Sequence, residues 1–153
     1  MSATANNTQR NNGPLRAFRR GQTRFAVSAD AVSAVVDWRE PAPLPEAPDA
    51  IRGVVSVHGR MLTVLDLSRL PKNTITEELE SPRELLVLRG DEQLALAADE
   101  VEGTIELNET LRANRASRST TVFDYEGGEL AVVDVKEVFQ DAMQGRERRH
   151  RRF

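Results

Sequence analysis

The sequence predicts an all-β fold of two small closed barrels, produced by internal duplication and each finished by a short helix. Three observations lead there. Short runs of Val, Leu and Ile are bounded by glycines or charged turns, which is the pattern of strands in small barrels. Three segments recur in order at almost a single offset. Residues 25–37 lie over 94–106, and Arg20-Gly21 over Arg89-Gly90, at an offset of 69; residues 59–70 lie over 127–138 at 68. Finally, the 153 residues, 39% hydrophobic and 29% charged, suffice for two units of roughly 60 residues and little more.

Residues 1–14 are polar and lack the apolar stretch of a signal peptide, so a disordered arm and a cytoplasmic protein are expected. Strands are expected at 24–28, 51–57, 61–65, 84–88, 93–97, 120–125 and 130–135, all rich in β-forming residues. Gly59-Arg60, Arg89-Gly90-Asp91 and Gly127-Gly128 supply the positive φ that tight hairpins need. Residues 39–48 hold four prolines, which cannot donate to a ladder, so a stiff surface connector is expected there. Residues 71–82, with Glu77, Glu78 and Glu80, read as the linker between the copies. Asp66 and Asp134 are equivalent and precede apolar residues at helical spacing. Each is expected to cap a short closing helix, the second reaching about Met143. The first barrel is placed at about 24–70 and the second at about 84–138, with allowance for strands exchanged between them. Residues 144–153 form an Arg-rich tail, expected to be disordered.

Composition removes most catalytic chemistry. The chain has no cysteine, and His58 and His150 are its only histidines, which excludes a thiol nucleophile, a disulfide and a Cys/His zinc site. His58 has no neighbour in sequence that would complete a triad, and it reads as a surface or interface residue. The matched carboxylates Asp66/Asp134 and Asp30/Asp99 are explained by caps and turns rather than by acid/base work. Glycine-rich phosphate loops, nucleophile elbows and zinc-helix motifs are absent, so no enzyme, cofactor, metal or small-molecule substrate is predicted. No apolar run approaches the roughly 20 residues of a membrane span.

The net charge of -3 is unevenly spread. Residues 1–24 carry five Arg and no acid, and residues 144–153 carry five Arg against Glu147, which leaves the body strongly acidic. Such a body disfavours a polyanion. The alternative function is a nucleic-acid-associated barrel that binds through Arg19, Arg20 and the arginines of residues 146–152. Two apolar groups, Val32, Val35 and Val36, and Ile51, Val54, Val55 and Val57, suffice to fill a small barrel and leave surface for a protein partner.

Residues 45–67, running from a proline loop through Ile51-Arg52-Gly53-Val54 and His58-Gly59-Arg60 to Val64-Leu65-Asp66-Leu67, resemble the signature of CheW-like domains. The upstream segment 25–36 and the downstream segment 97–103 fit in order, so the resemblance covers about residues 15–143. It implies two SH3-like five-stranded barrels and a non-enzymatic adaptor that couples chemoreceptors to a CheA-type histidine kinase. One barrel would pack against the kinase regulatory domain, while the receptor's cytoplasmic tip lies near the groove between barrels. Carried over by position, Val32, Ala34, Val35, Ile51, Arg52, Gly53, His58 and Gly59 are the candidates for partner contact. Ala34 and His58 stand where the family usually has an acidic residue and an Arg that pair, so both members of that ion pair are replaced. The segment 107–125 is short for the family and lacks its prolines, leaving less chain for the second barrel. Val35→Asp and Gly53→Trp are expected to abolish partner binding and leave the β spectrum intact.

Overall fold

The computed structural model describes residues 13–70, 79–106 and 112–150, with side chains as far as Met143. The strands are β1 (Pro14–Arg20), β2 (Thr23–Ser28), β3 (Val32–Asp37), β4 (Ile51–Val57), β5 (Arg60–Leu65), β6 (Glu84–Leu88), β7 (Leu94–Ala98), β8 (Glu100–Glu106), β9 (Ala113–Ala116), β10 (Thr120–Tyr125) and β11 (Gly128–Val133). Helix α1 (Val135–His150) follows. A six-stranded sheet has the order β8-β1-β2-β11-β10-β9, and a five-stranded sheet the order β3-β6-β7-β5-β4. Neighbours are antiparallel except β2 with β11 and β5 with β7. Each sheet therefore takes strands from both halves of the chain: β1 and β2 join β8–β11, while β6 and β7 join β3–β5.

Strand alternation explains the three cores. On β6 and β7, Leu85, Val87, Ala95 and Ala97 turn into the five-stranded barrel with Val55, Leu62 and Val64. The residues between them, Leu86, Leu88, Leu94 and Leu96, face the other way. They meet Phe18, Phe25 and Val27 of the six-stranded sheet in a larger core between the barrels. Leu15, Ala17, Ala26, Leu130 and Val132 fill the six-stranded barrel. Strands buried on both faces lose the apolar/polar alternation of a half-exposed sheet. Phe18 and Phe25 pair across β1 and β2 with stacked rings 5.5 Å apart.

The strands read from the sequence all occur, three with the expected ends and the other four shifted by one or two residues. Four others were not read as strands. β1 carries Arg16, Arg19 and Arg20, β3 was read only as an apolar face, β8 alternates apolar residues with three glutamates, and all of β9 is exposed. With β9 and β10 in place, the short segment 107–125 does not trim the second barrel. Pro14 already belongs to β1; residues 1–12, and most of the expected linker, lie outside the described residues.

The proline-rich connector lies along the outer edge of β4. Ala42 exchanges both backbone hydrogen bonds with Val54, each 2.9 Å, and Arg39 Nη1 donates to the Ser56 carbonyl oxygen at 2.6 Å. An otherwise open sheet edge is thereby covered. The two-residue turns His58-Gly59 and Glu126-Gly127 are equivalent, and all four residues have positive φ, as the twist of a tight hairpin demands.

The closing elements differ. Asp66 caps only a 3-10 turn, Leu67–Arg69, with Leu70 already extended. Asp134 accepts from the Glu137 N–H at 3.2 Å and caps a true helix. That helix passes Met143 and reaches His150, so residues 144–150 of the segment expected to be a disordered tail are helical.

Candidate functional site

The family-derived candidates do not form one patch. Val32 and Val35 are half-buried and pack on the core between the barrels, which Ile51 enters directly; Ala34 packs on the core of the five-stranded barrel. His58 and Gly59 occupy the exposed β4–β5 turn, about 20 Å along β4 from Ile51 at the usual rise per residue. Met61, 58% exposed, adjoins that turn and with Leu44 is one of the large apolar side chains left open to solvent. Gly53 is buried at φ +137, and a Cβ there would lie 2.2 Å from the Ala42 carbonyl oxygen. Gly53→Trp therefore tests the fold and not a surface, contrary to the sequence-based expectation.

Arg52, Asp66 and Arg20 meet in a buried ion cluster that sequence reasoning did not find. Arg20 is 3% exposed and reaches from β1 across the seam between the sheets. Its Nη2 donates to Asp66 Oδ2 at 3.0 Å, and its Nη1 to Asp99 Oδ1 at 2.9 Å and to the Glu80 carbonyl at 2.8 Å. Asp66 is fully buried and also accepts from Arg52 Nη1 at 3.1 Å and from the Ser68 hydroxyl at 2.6 Å. Asp99 closes the cluster by accepting from the Gly21 N–H at 2.6 Å. Burial alone would push the Asp66 carboxyl up. Hydrogen bonds from Arg20 and Ser68 and the Arg20 charge outweigh that and hold it below the usual carboxylate range. Burial would likewise lower the Arg20 guanidinium, but Asp66 and Asp99 raise it. The Arg52 guanidinium also lies 5.3 Å from the centre of the Trp38 ring, tying β4 to the segment after β3. One signal for the cluster was present: Arg20 is two residues from Phe18 on a strand and so shares its core-facing side.

The two copies are not in the register that the sequence match suggests. Phe18 pairs with Val101, and Val32, equivalent to Val101 at the offset of 69, pairs with Leu88. Leu88 is thus the counterpart of Phe18, which sets Arg89 against Arg19 and Gly90 against Arg20. A second slip lies in β4. Ile51 pairs with Leu65 and Gly53 with Val64, so Arg52 is the extra residue of a bulge, whereas β10 and β11 pair without interruption. Both arginines of the cluster therefore lack counterparts in the second copy.

At the corresponding corner the second copy has an open pocket. It is about 250 Å³, with Leu15, Val27, Leu94 and Val132 among its apolar walls and Arg89, Glu92, Asp134 and Lys136 as charged lining. Lys136 stands 3.8 Å from Glu92.

Other arginines of the six-stranded sheet are occupied. Arg19 pairs with Glu100 at 2.8 Å, and Arg24 with Glu102 at 2.8 Å and Glu126 at 3.2 Å. The nucleic-acid alternative thus loses Arg20 to burial and Arg19 to a carboxylate partner, and the arginines of residues 146–152 lie beyond the described side chains. Among the described residues no group of three or more His, Asp or Glu stands together as a metal site, and no helix is long and apolar enough to cross a membrane.

Comparisons with known proteins agree with this architecture. The chemotaxis protein CheW of Rhizobium meliloti (strain 1021) is 37% identical over 54 residues, 35% of this chain. The match spans 35% of that protein, so the chain covers about a third of the length of this curated relative. The crystal structure of the scaffolding protein TtCheW from Thermoanaerobacter tengcongensis superposes with a TM-score of 0.66, covering 84% of this chain and 88% of that one. At 15% identity that likeness establishes the fold of two SH3-like barrels. The family model of the CheW-like domain matches residues 15–143, nearly the whole of the described fold, and the chain belongs to the CheW-like domain family.

Proposed function

We propose that this protein is a non-enzymatic adaptor that couples chemoreceptors to a CheA-type histidine kinase in a chemosensory system. The match of the family model across residues 15–143 carries the reading. In it, the kinase regulatory domain meets the outer side of the five-stranded barrel near the β4–β5 turn, where His58, Gly59 and Met61 are exposed. Ile51, Arg52 and Gly53 lie at the other end of β4 and hold the barrel that carries that surface, Ile51 and Gly53 through packing and backbone, Arg52 through Asp66 and Trp38. The receptor tip meets the pocket on the seam between the barrels. Modest interfaces of this kind gain strength by repetition in an array.

Calorimetric titration against the regulatory domain of each CheA-type kinase in the same genome tests the reading. Micromolar binding to one of them is expected, weakened about tenfold by Met61→Arg, which removes an exposed apolar contact and leaves the core untouched. Absence of binding to every such kinase would overturn it.

A further inference from the structure

We propose that Arg20 is a latch on the strap of residues 79–83, by which the chain enters β6, and that through this strap it holds Trp38 and the end of β3 in place. The strap runs over the surface: Glu80, Ser81 and Arg83 are exposed, Leu79 is half-buried and Pro82 is buried. It is tied at both ends. At the first, Leu79 packs on Gly21, so closely that a Cβ there would stand 3.0 Å from both of its δ carbons, and the Glu80 carbonyl accepts from Arg20 Nη1 at 2.8 Å. At the second, the Arg83 N–H donates to the Ala98 carbonyl at 2.9 Å, and the Arg83 carbonyl accepts from the Trp38 N–H at 2.9 Å.

These ties close a circuit. Arg20 holds Asp66, Asp66 holds Arg52, and the Arg52 guanidinium lies over the Trp38 ring, whose backbone returns to the strap at Arg83. The Trp38 indole N–H is buried and has no hydrogen-bond partner among the described residues. The residue is therefore steadied by packing on the core of the five-stranded barrel, by Arg52 and by the backbone bond to Arg83. Arg20 suits the task because one planar guanidinium serves three segments at once. With Nη2 on Asp66, Nη1 gives one N–H to Asp99 and the other to the strap. The two carboxylates fix the fork in the seam, and the bond to the Glu80 carbonyl is charge-assisted, roughly twice as strong as a neutral one. A surface strap fastened in this way opens locally, without the barrels, when its first tie is lost. The end of β3 loosens with it, since Asp37 and Val36 pair with Glu84 and Leu85 just beyond the strap. Val32 and Val35 lie on the same strand, so the latch sets how firmly that margin is presented, whichever partner binds.

The test is amide exchange of the isotopically labelled full chain by NMR, together with the fluorescence of Trp38, the one tryptophan. In Arg20→Met the Arg83 and Trp38 amides are expected to exchange at least about tenfold faster, and at a rate independent of low urea concentrations, as a local opening requires. The NOE between the Leu79 methyls and Gly21 should be lost, and acrylamide should quench Trp38 about twofold more strongly. Arg19→Ala, one residue away on the exposed side of β1, should change none of these. Unaltered exchange at Arg83 would overturn the proposal. So would an acceleration with the same urea dependence as a central amide such as Leu96, because Arg20 would then act on global stability alone. If Arg20→Met does not fold, Leu79→Ala decides, since it leaves every charge in place. The same two amides are expected to accelerate about threefold, and no change there would overturn the latch.

Discussion

At one corner of the seam between the sheets, Arg20 spans from β1 to Asp66 and Asp99, and Arg52 completes the charge balance. At the corner related by the internal repeat, the same backbone surrounds a pocket bordered by Asp134. The difference follows from one position of register in a hairpin and one bulge residue in a strand. Two copies of one unit thus become a fastening at one corner and an opening at the other. Small changes of register suffice because strand side chains alternate, so a displacement of one residue decides whether a side chain enters the seam or leaves it.

Substitutions at equivalent positions would break this contrast in graded ways. The largest effect is expected from Gly53→Ala. Its Cβ would meet the Ala42 carbonyl at 2.2 Å in a backbone with φ +137, so a loss of roughly 3 kcal/mol or more is expected in urea unfolding. The counterpart Thr121→Ala, in a ladder without a bulge, should cost less than about 1 kcal/mol.

Asp66→Ala comes next. It leaves Arg20 and Arg52 without a shared carboxylate, though Arg20 keeps Asp99, and should cost on the order of 3 kcal/mol, whereas Asp134→Ala removes a helix cap and should cost about 1 kcal/mol. Acid titration of stability sharpens the same pair. The Asp66 carboxyl is held below its unfolded value, so its contribution is complete above about pH 4 and is lost as the pH falls below that. The Asp66→Ala variant should therefore show a flatter stability profile in acid than the parent, and equal slopes would contradict the assignment. The smallest effect is expected from Arg19→Ala, whose half-exposed pair with Glu100 is worth a few tenths of a kcal/mol at low salt and less as salt rises.

Much of the barrel architecture was legible in the sequence because duplication doubles every signal. The strand of residues 59–65, with the glycine of its turn, repeats at 127–133 at an offset of 68. The polar strands β8 and β9 were not legible, since a strand exposed at a sheet margin has little apolar alternation to display. The candidate site was harder. Asp66 reads as a cap, and it does accept from the Ser68 N–H, but its burial depends on Arg20, 46 residues away. Matching Arg20-Gly21 to Arg89-Gly90 by letter concealed the slip that gives Arg20 its role. Only pairing of the strands exposes it.

The parting of β1 and β2 from β3–β5 bears on how such a protein could be divided. A chain cut within the linker would yield two fragments, each holding two strands of one sheet and three or more of the other. Neither fragment could close a barrel alone, because its hairpin completes the sheet of the other. The molecule is organised as a strand-exchanged dimer written as a single polypeptide. Its repeat boundary is therefore no folding boundary, and the contacts that assemble it, such as Phe18 with Val101, join distant parts of the chain. Folding of this kind is governed by long-range closure, and the two barrels should gain and lose their structure together.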